Sequence, residues 1–128
     1  MKFCMKRTIY EKLSEWKRSA DRKPLILRGA RQTGKTYILS EFGKNEFRRT
    51  HYVNFQKDRN ASEIFGPDLT PRNILTYLEF YLNTAIDTRR DMIFFDDIQD
   101  AARALTSLKY FCEEMPELPI VCAGSLLG

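Results

Sequence analysis

Histidine is almost missing from this sequence, with His51 the single example among 128 residues. A metal centre or a catalytic triad built on imidazoles is therefore not expected, because no second ring is available to share the work. Cysteine is scarce as well. Cys4, Cys112 and Cys122 are odd in number and form neither a C-x-x-C pair nor a Cys/His cluster, which argues against a zinc framework or a disulfide scaffold and for reduced thiols. Cys112 and Cys122 lie in apolar segments and read as core. No apolar run approaches the roughly 20 residues that a membrane-spanning helix needs. The basic opening, Met1-Lys2-Phe3-Cys4-Met5-Lys6, has no apolar stretch of the signal-peptide kind. These absences set the expectation of a cytoplasmic protein without a membrane partner. No internal repeat or low-complexity segment is evident. Excess charge of one sign is modest, 21 Lys+Arg against 17 Asp+Glu, so the net +4 permits nucleic acid without arguing for it. The basic cluster of the N-terminal third (Lys2, Lys6, Arg7, Lys12, Lys17, Arg18, Arg22 and Lys23) reads first as a solvated helix face, with a DNA-contacting face as the alternative.

What the chain does have is a glycine loop. Gly29-Ala30-Arg31-Gln32-Thr33-Gly34-Lys35-Thr36 matches G-x-x-x-x-G-K-[ST], the phosphate-binding P-loop, at every fixed position. It follows an apolar strand-like run, Pro24-Leu25-Ile26-Leu27, and precedes a helix-like run, Tyr37-Ile38-Leu39-Ser40-Glu41-Phe42, which is the required setting. Glycines at 29 and 34 allow the dihedrals and close approach by which backbone N–H groups wrap a phosphate. The N-terminus of the following helix adds unpaired N–H groups and a positive dipole end. The expected phosphate-binding set is Gly29, Ala30, Arg31, Gln32, Thr33, Gly34, Lys35, Thr36 and Tyr37. Lys35 brings a point charge to the outer phosphates, Thr36 a hydroxyl for Mg²⁺, and the role of Arg31 stays open.

The rest of the chain alternates helices and strands. Ile9, Tyr10, Leu13, Trp16 and Ala20 share one face of a helix near 6–20. Asp21-Arg22-Lys23 is a connector. The P-loop helix is expected to end near Phe42, with Gly43 as its C-cap. Strands are expected at 51–55, 92–95 and 119–123. Between them fall a short helix at 62–65, a helix opened by Thr70-Pro71 with Ile74, Leu75, Leu78, Tyr81, Leu82 and Ala85 on one face, and a helix at 101–115 with Leu105, Leu108, Phe111, Cys112 and Met115 inward. Thr88-Arg89-Arg90-Asp91 reads as a turn. The wholly apolar Met92-Ile93-Phe94-Phe95 suits a strand covered on both faces. The pattern predicts one α/β domain with a parallel sheet and right-handed crossovers. Residues 1–22 form its N-terminal helix and connector, and 23–128 its sheet and helices.

The strand at 92–95 ends in Asp96-Asp97. An acid at the end of such a strand is the Walker B arrangement, in which Asp96 holds Mg²⁺ directly or through water. Asp97 then stands where a base could activate water, although its carboxylate is one methylene shorter than glutamate's. The plain alternative is an acid at a helix N-terminus. Ser125 follows the last strand and could touch phosphate or water, or serve only as a turn residue. Candidate catalytic residues are thus Asp97, Lys35 and Ser125, and candidate metal ligands Thr36 and Asp96.

Arg28–Thr36, Ile93-Phe94-Phe95-Asp96-Asp97-Ile98-Gln99, Arg103–Phe111 and Ala123–Gly128 together resemble the prokaryotic AAA-type ATPases with an R-G-A-R-Q-x-G-K-[ST] loop and an F-D-E-I-Q strand. The resemblance implies a P-loop NTPase three-layer sandwich, with ATP and Mg²⁺ as ligands. With the crossover rule it implies a sheet in the order 1-4-3-2. It also implies a fifth strand, a helical lid and sensing arginines, none of which this sequence supplies, and a glutamate where Asp97 stands. The chain is expected to be the first part of a core, with the Leu25–Leu27 strand left at an edge and open to self-association. ATP binding with hydrolysis is the leading expectation. The alternatives are a nucleotide switch with little turnover and a nucleic-acid-binding module. No N-K-x-D base-reading motif occurs, so GTP is disfavoured. A protein or DNA partner is left unnamed.

Overall fold

Four apolar runs become four parallel strands, and the helices between them cover both faces of the sheet. The computed structural model describes residues 2–29 and 34–125, with side chains from Thr8 onward. The elements are α1 (Lys2–Arg18), β1 (Leu25–Gly29), α2 (Lys35–Glu46), β2 (Arg49–Asn54), α3 (Pro71–Leu82), β3 (Asp91–Asp96), α4 (Ala102–Glu114) and β4 (Ile120–Ser125), with 3₁₀ turns at Arg59–Ile64 and Ile98–Asp100. The sheet order is β1-β4-β3-β2, as expected. β1 pairs in parallel with β4, β4 with β3, and β3 with β2. Among the described strands, β1 lies at one edge and β2 at the other.

The alternation of side chains along each strand decides the layers. Val53 and Phe55 near the end of β2, Ile93 and Phe95 of β3, and Ile120 and Cys122 of β4 face a core built with α3 and α4. Met92, Phe94, Val121 and Ala123 face the opposite way, onto Ile38, Leu39 and Phe42 of α2 and Leu13 of α1. The result is a three-layer sandwich. β3 is buried at every position, which accounts for its unbroken apolar run. Phe42 is the hub of the second layer. Its ring meets Tyr10 edge-on at 5.5 Å and Phe47 at 5.7 Å, and contacts of this kind add about 0.5–1.5 kcal/mol beyond area burial. Cys122, in the middle of β4, is fully enclosed, and burial pushes its thiol well above the usual cysteine range. Cys112 is only partly covered.

Several boundaries differ from the sequence reading. Gly43 is not a C-cap. It lies inside α2, where a Cβ would stand 2.1 Å from Thr50 Oγ1 and 2.6 Å from Met92 Cε, so glycine is needed for helix–sheet approach. Ala20 falls in a turn after α1, and Ala85 lies beyond the end of α3, which Asn83 closes in the left-handed conformation. Thr70 does precede Pro71 at the helix start, but its hydroxyl donates to Asp68 and leaves the helix uncapped by its side chain. Tyr81 is exposed rather than inward, its hydroxyl donating to Asp58. Leu105 and Cys112 are only partly buried. Asp91 does not close a turn but opens β3. Gly124 and Ser125 continue β4, because Arg28 and Gly29 of β1 pair with them.

Candidate active site

In a parallel sheet with helices on both faces, ligands bind beyond the carboxyl ends of the strands. This molecule has an open cleft of about 500 Å³ there. Its walls come from the start of α2 (Gly34 to Tyr37), the end of β2 (Tyr52, Asn54), the end of β3 (Asp96, Asp97) and the end of β4 (Ala123 to Ser125). Gln56 and Lys57 close the side beyond β2. Residues 85 or more positions apart in sequence thus face one space.

The two glycines that bound the loop, and the helix after it, are placed as the glycine pattern requires. Gly29 is the last residue of β1. Gly34 takes φ 80°, a left-handed value that a side chain would strain, and its carbonyl accepts the first helical bond from the Ile38 N–H at 3.0 Å. Lys35 Nζ donates to the carbonyls of Gly29 at 2.9 Å and Gly124 at 2.8 Å, which fixes its ammonium between the ends of β1 and β4. Ala30, Arg31, Gln32 and Thr33 lie outside the described residues. Tyr37 is 59% exposed at the rim.

Asp96 is the centre of the polar arrangement. It is buried, and a buried carboxylate must be satisfied by donors or a cation. Its Oδ2 accepts from the Thr36 hydroxyl at 2.9 Å and from the Tyr52 hydroxyl at 2.6 Å, and its Oδ1 from the Asp97 N–H at 3.0 Å. Among the described residues no cationic side chain forms an ion pair with it. A carboxylate beside a hydroxyl is an oxygen donor set of the kind Mg²⁺ takes. Among the described residues there is also no group of three or more His, Cys, Asp or Glu able to hold a metal. A cation held by the Thr36 and Asp96 oxygens would leave its remaining positions to phosphate and water. Tyr52 is raised to about 12, first by burial and then by its bond to Asp96, so it stays a neutral donor.

Asp97 follows with φ 54°, in the left-handed region that Asp tolerates better than most residues. It precedes the 3₁₀ turn at Ile98–Asp100, yet its side chain makes no capping hydrogen bond. The residue lines the cleft. Ser125 lines the cleft from the end of the neighbouring strand β4, and its N–H donates to Gln99 Oε1 at 3.0 Å. Sequence reasoning placed none of Tyr52, Asn54, Gln56, Lys57 and Gln99 here. Alternation along His51-Tyr52-Val53-Asn54-Phe55 does set Tyr52 and Asn54 on one face, but only strand register shows that Asp96 is their neighbour.

The comparisons with known proteins agree with this geometry. A protein-family model described as an AAA domain matches residues 21–128. Among solved structures, that of C. elegans PCH-2 aligns with 97% of this chain at a TM-score of 0.55 and 14% identity. That likeness is one of fold, and this chain spans 38% of the length of the PCH-2 chain. No match was found among curated proteins.

Proposed function

This chain belongs to the AAA domain family, a nucleotide-binding class, and from that premise we propose that it binds ATP with Mg²⁺ in the strand-end cleft and hydrolyses it slowly. The observation that carries the reading is the meeting of Thr36 and Asp96. Sixty positions apart, they come within 2.9 Å at the mouth of the helix that the glycine loop feeds. Backbone N–H groups at the start of α2 would bind phosphate oxygens, and Lys35 would add its charge from between β1 and β4. Thr36 and Asp96 would hold Mg²⁺, which when bound draws charge from the phosphate oxygens. Asp97 would accept a proton from the attacking water, and Ser125 would orient that water or a phosphate oxygen. The short, left-handed Asp97 favours slow turnover over fast. Lys17 donates to the Glu46 carbonyl, and Arg22 to those of Lys17 and Glu117. Part of the basic N-terminal cluster thus holds α1 in place, a structural use that is neither a solvated helix face nor a DNA-contacting one.

Calorimetric titration with ATP and Mg²⁺ tests the assignment. The wild-type chain is expected to bind, and Lys35→Ala to lose about 10- to 100-fold in affinity, as befits a charge-assisted contact. Equal affinities would exclude the loop as the phosphate site.

A further inference from the structure

Asp96 has two side-chain donors, and only one of them belongs to the phosphate loop. The second, Tyr52, reaches it from the edge strand. β2 and β3 are paired with Tyr52 beside Phe94 and Asn54 beside Asp96. These four side chains therefore share one face of the sheet, and Tyr52 and Asp96 are diagonal neighbours, a separation that a long aromatic side chain spans. The Tyr52 ring is set edge-on against Phe94, 5.0 Å between centroids at 72°. The Asn54 Nδ2 amide donates to the Tyr52 hydroxyl oxygen at 3.1 Å, which directs the phenolic proton toward Asp96. Asn54 Oδ1 in turn accepts from the N–H groups of Gln56 and Lys57, both at 2.9 Å, and pins the chain beyond β2.

The consequence for Asp96 is geometric. The terminal torsion of an aspartate is soft, with no sharp staggered minimum. One donor on each oxygen fixes the carboxylate plane. The Asp97 N–H holds Oδ1, and Tyr52 holds Oδ2. The Thr36 hydroxyl can ligate a cation through its oxygen while its proton still reaches Oδ2, so Tyr52 is the donor on that oxygen that takes no part in ligation. We propose that Tyr52 is the positioning residue that orients Asp96 toward the divalent cation, with Asn54 orienting Tyr52. The inference rests on the ATP–Mg²⁺ reading above. Outer partners of this kind set the direction and basicity of a metal ligand, and losing one typically costs about 10- to 100-fold in metal affinity.

The test is a Mg²⁺ titration of binding to a non-hydrolysable ATP analogue, followed by calorimetry in wild type and Tyr52→Phe, alongside titrations without divalent metal and thermal melts. Tyr52→Phe keeps the ring against Phe94 and removes only the hydroxyl. The expected result is an unchanged melt and unchanged metal-free affinity, with a Mg²⁺ midpoint about tenfold higher. Asn54→Ala is expected to move the midpoint in the same direction by a smaller factor. Equal Mg²⁺ midpoints for wild type and Tyr52→Phe overturn the inference while leaving the ATP–Mg²⁺ reading intact. A wild-type chain whose analogue binding ignores Mg²⁺ overturns that reading and the inference together. A loss in Tyr52→Phe that is equal with and without Mg²⁺ also overturns it, since the hydroxyl would then serve the nucleotide or the fold rather than Asp96.

Discussion

β3 begins and ends with a buried aspartate, and the two ends have opposite characters. At its start, Asp91 is closed in by a cation and by further hydrogen-bond partners. Arg48 grips it twice, at 2.9 and 2.8 Å, His51 Nε2 lies 2.8 Å away, and the Asp87 N–H adds a bond at 2.9 Å. Burial raises the cost of its charge, yet the bonds from His51, the Asp87 backbone and Arg48 outweigh that and hold its carboxyl below the ordinary 3.8. At its end, Asp96 receives only neutral donors and faces an open cleft. A buried acid with its counter-charge built in is a structural joint. A buried acid without one is suited to a cation that arrives with a ligand.

This contrast can be broken at either end. The largest effect is expected from Asp91→Asn, whose amide nitrogen would face a donor in either orientation. Breaking a buried ion pair costs about 3–5 kcal/mol, and because Arg48 is about a third exposed the lower end applies, about 3 kcal/mol. Urea unfolding measures it, and an unaltered midpoint would mean that Asp91 is no joint. Asp96→Asn should do the reverse. It is expected to raise the Mg²⁺ needed for ATP binding by about a hundredfold, the upper end of what even an outer partner costs, with stability within about 1 kcal/mol of wild type. A large drop in the melt with no change in the Mg²⁺ midpoint would erase the distinction between the ends.

Gly43→Ala sharpens the comparison by pressing on α2 near the closed end. The added methyl must displace Thr50 and Met92, at about 2 kcal/mol. If the ends are independent, urea midpoints should fall while the Mg²⁺ midpoint for ATP holds. The smallest effect is one of pH. A carboxyl whose pKa is lowered on folding contributes stability above its unfolded value, and that contribution is lost as pH falls through the folded one. The stability gap between wild type and Asp91→Asn should therefore hold above the ordinary 3.8 and shrink in more acid solution. A gap that widens on acidification would contradict the depressed pKa.

The open end was largely legible in the sequence, and the closed end was not. The fixed residues of the glycine loop and the acid after an apolar run announce Lys35, Thr36 and Asp96, because their chemistry demands local patterns. The strand order followed from crossover handedness together with resemblance. Asp91, by contrast, read as part of a turn and His51 as an isolated ring, since their bond spans forty positions and exists only through the β2–β3 register. Gly43 looked like a helix stop because a glycine required by the neighbouring sheet carries the same letter as one required by a left-handed turn. Tyr52 was hidden for the same reason as His51, as strand pairing decides which side chain an edge tyrosine meets.

The enclosure of Cys122 gives this molecule a clock of its own. The thiolate is the reactive form, and burial suppresses it while barring reagent from the sulfur. Cys112, partly covered on α4, needs only local fraying to react. With Cys4 replaced by serine, a thiol reagent would meet two sites on separate timescales, a fast one reporting the helix surface and a slow one reporting opening of the sheet's interior. Followed with and without nucleotide, the slow phase would time how firmly an occupied cleft locks the strands beneath it.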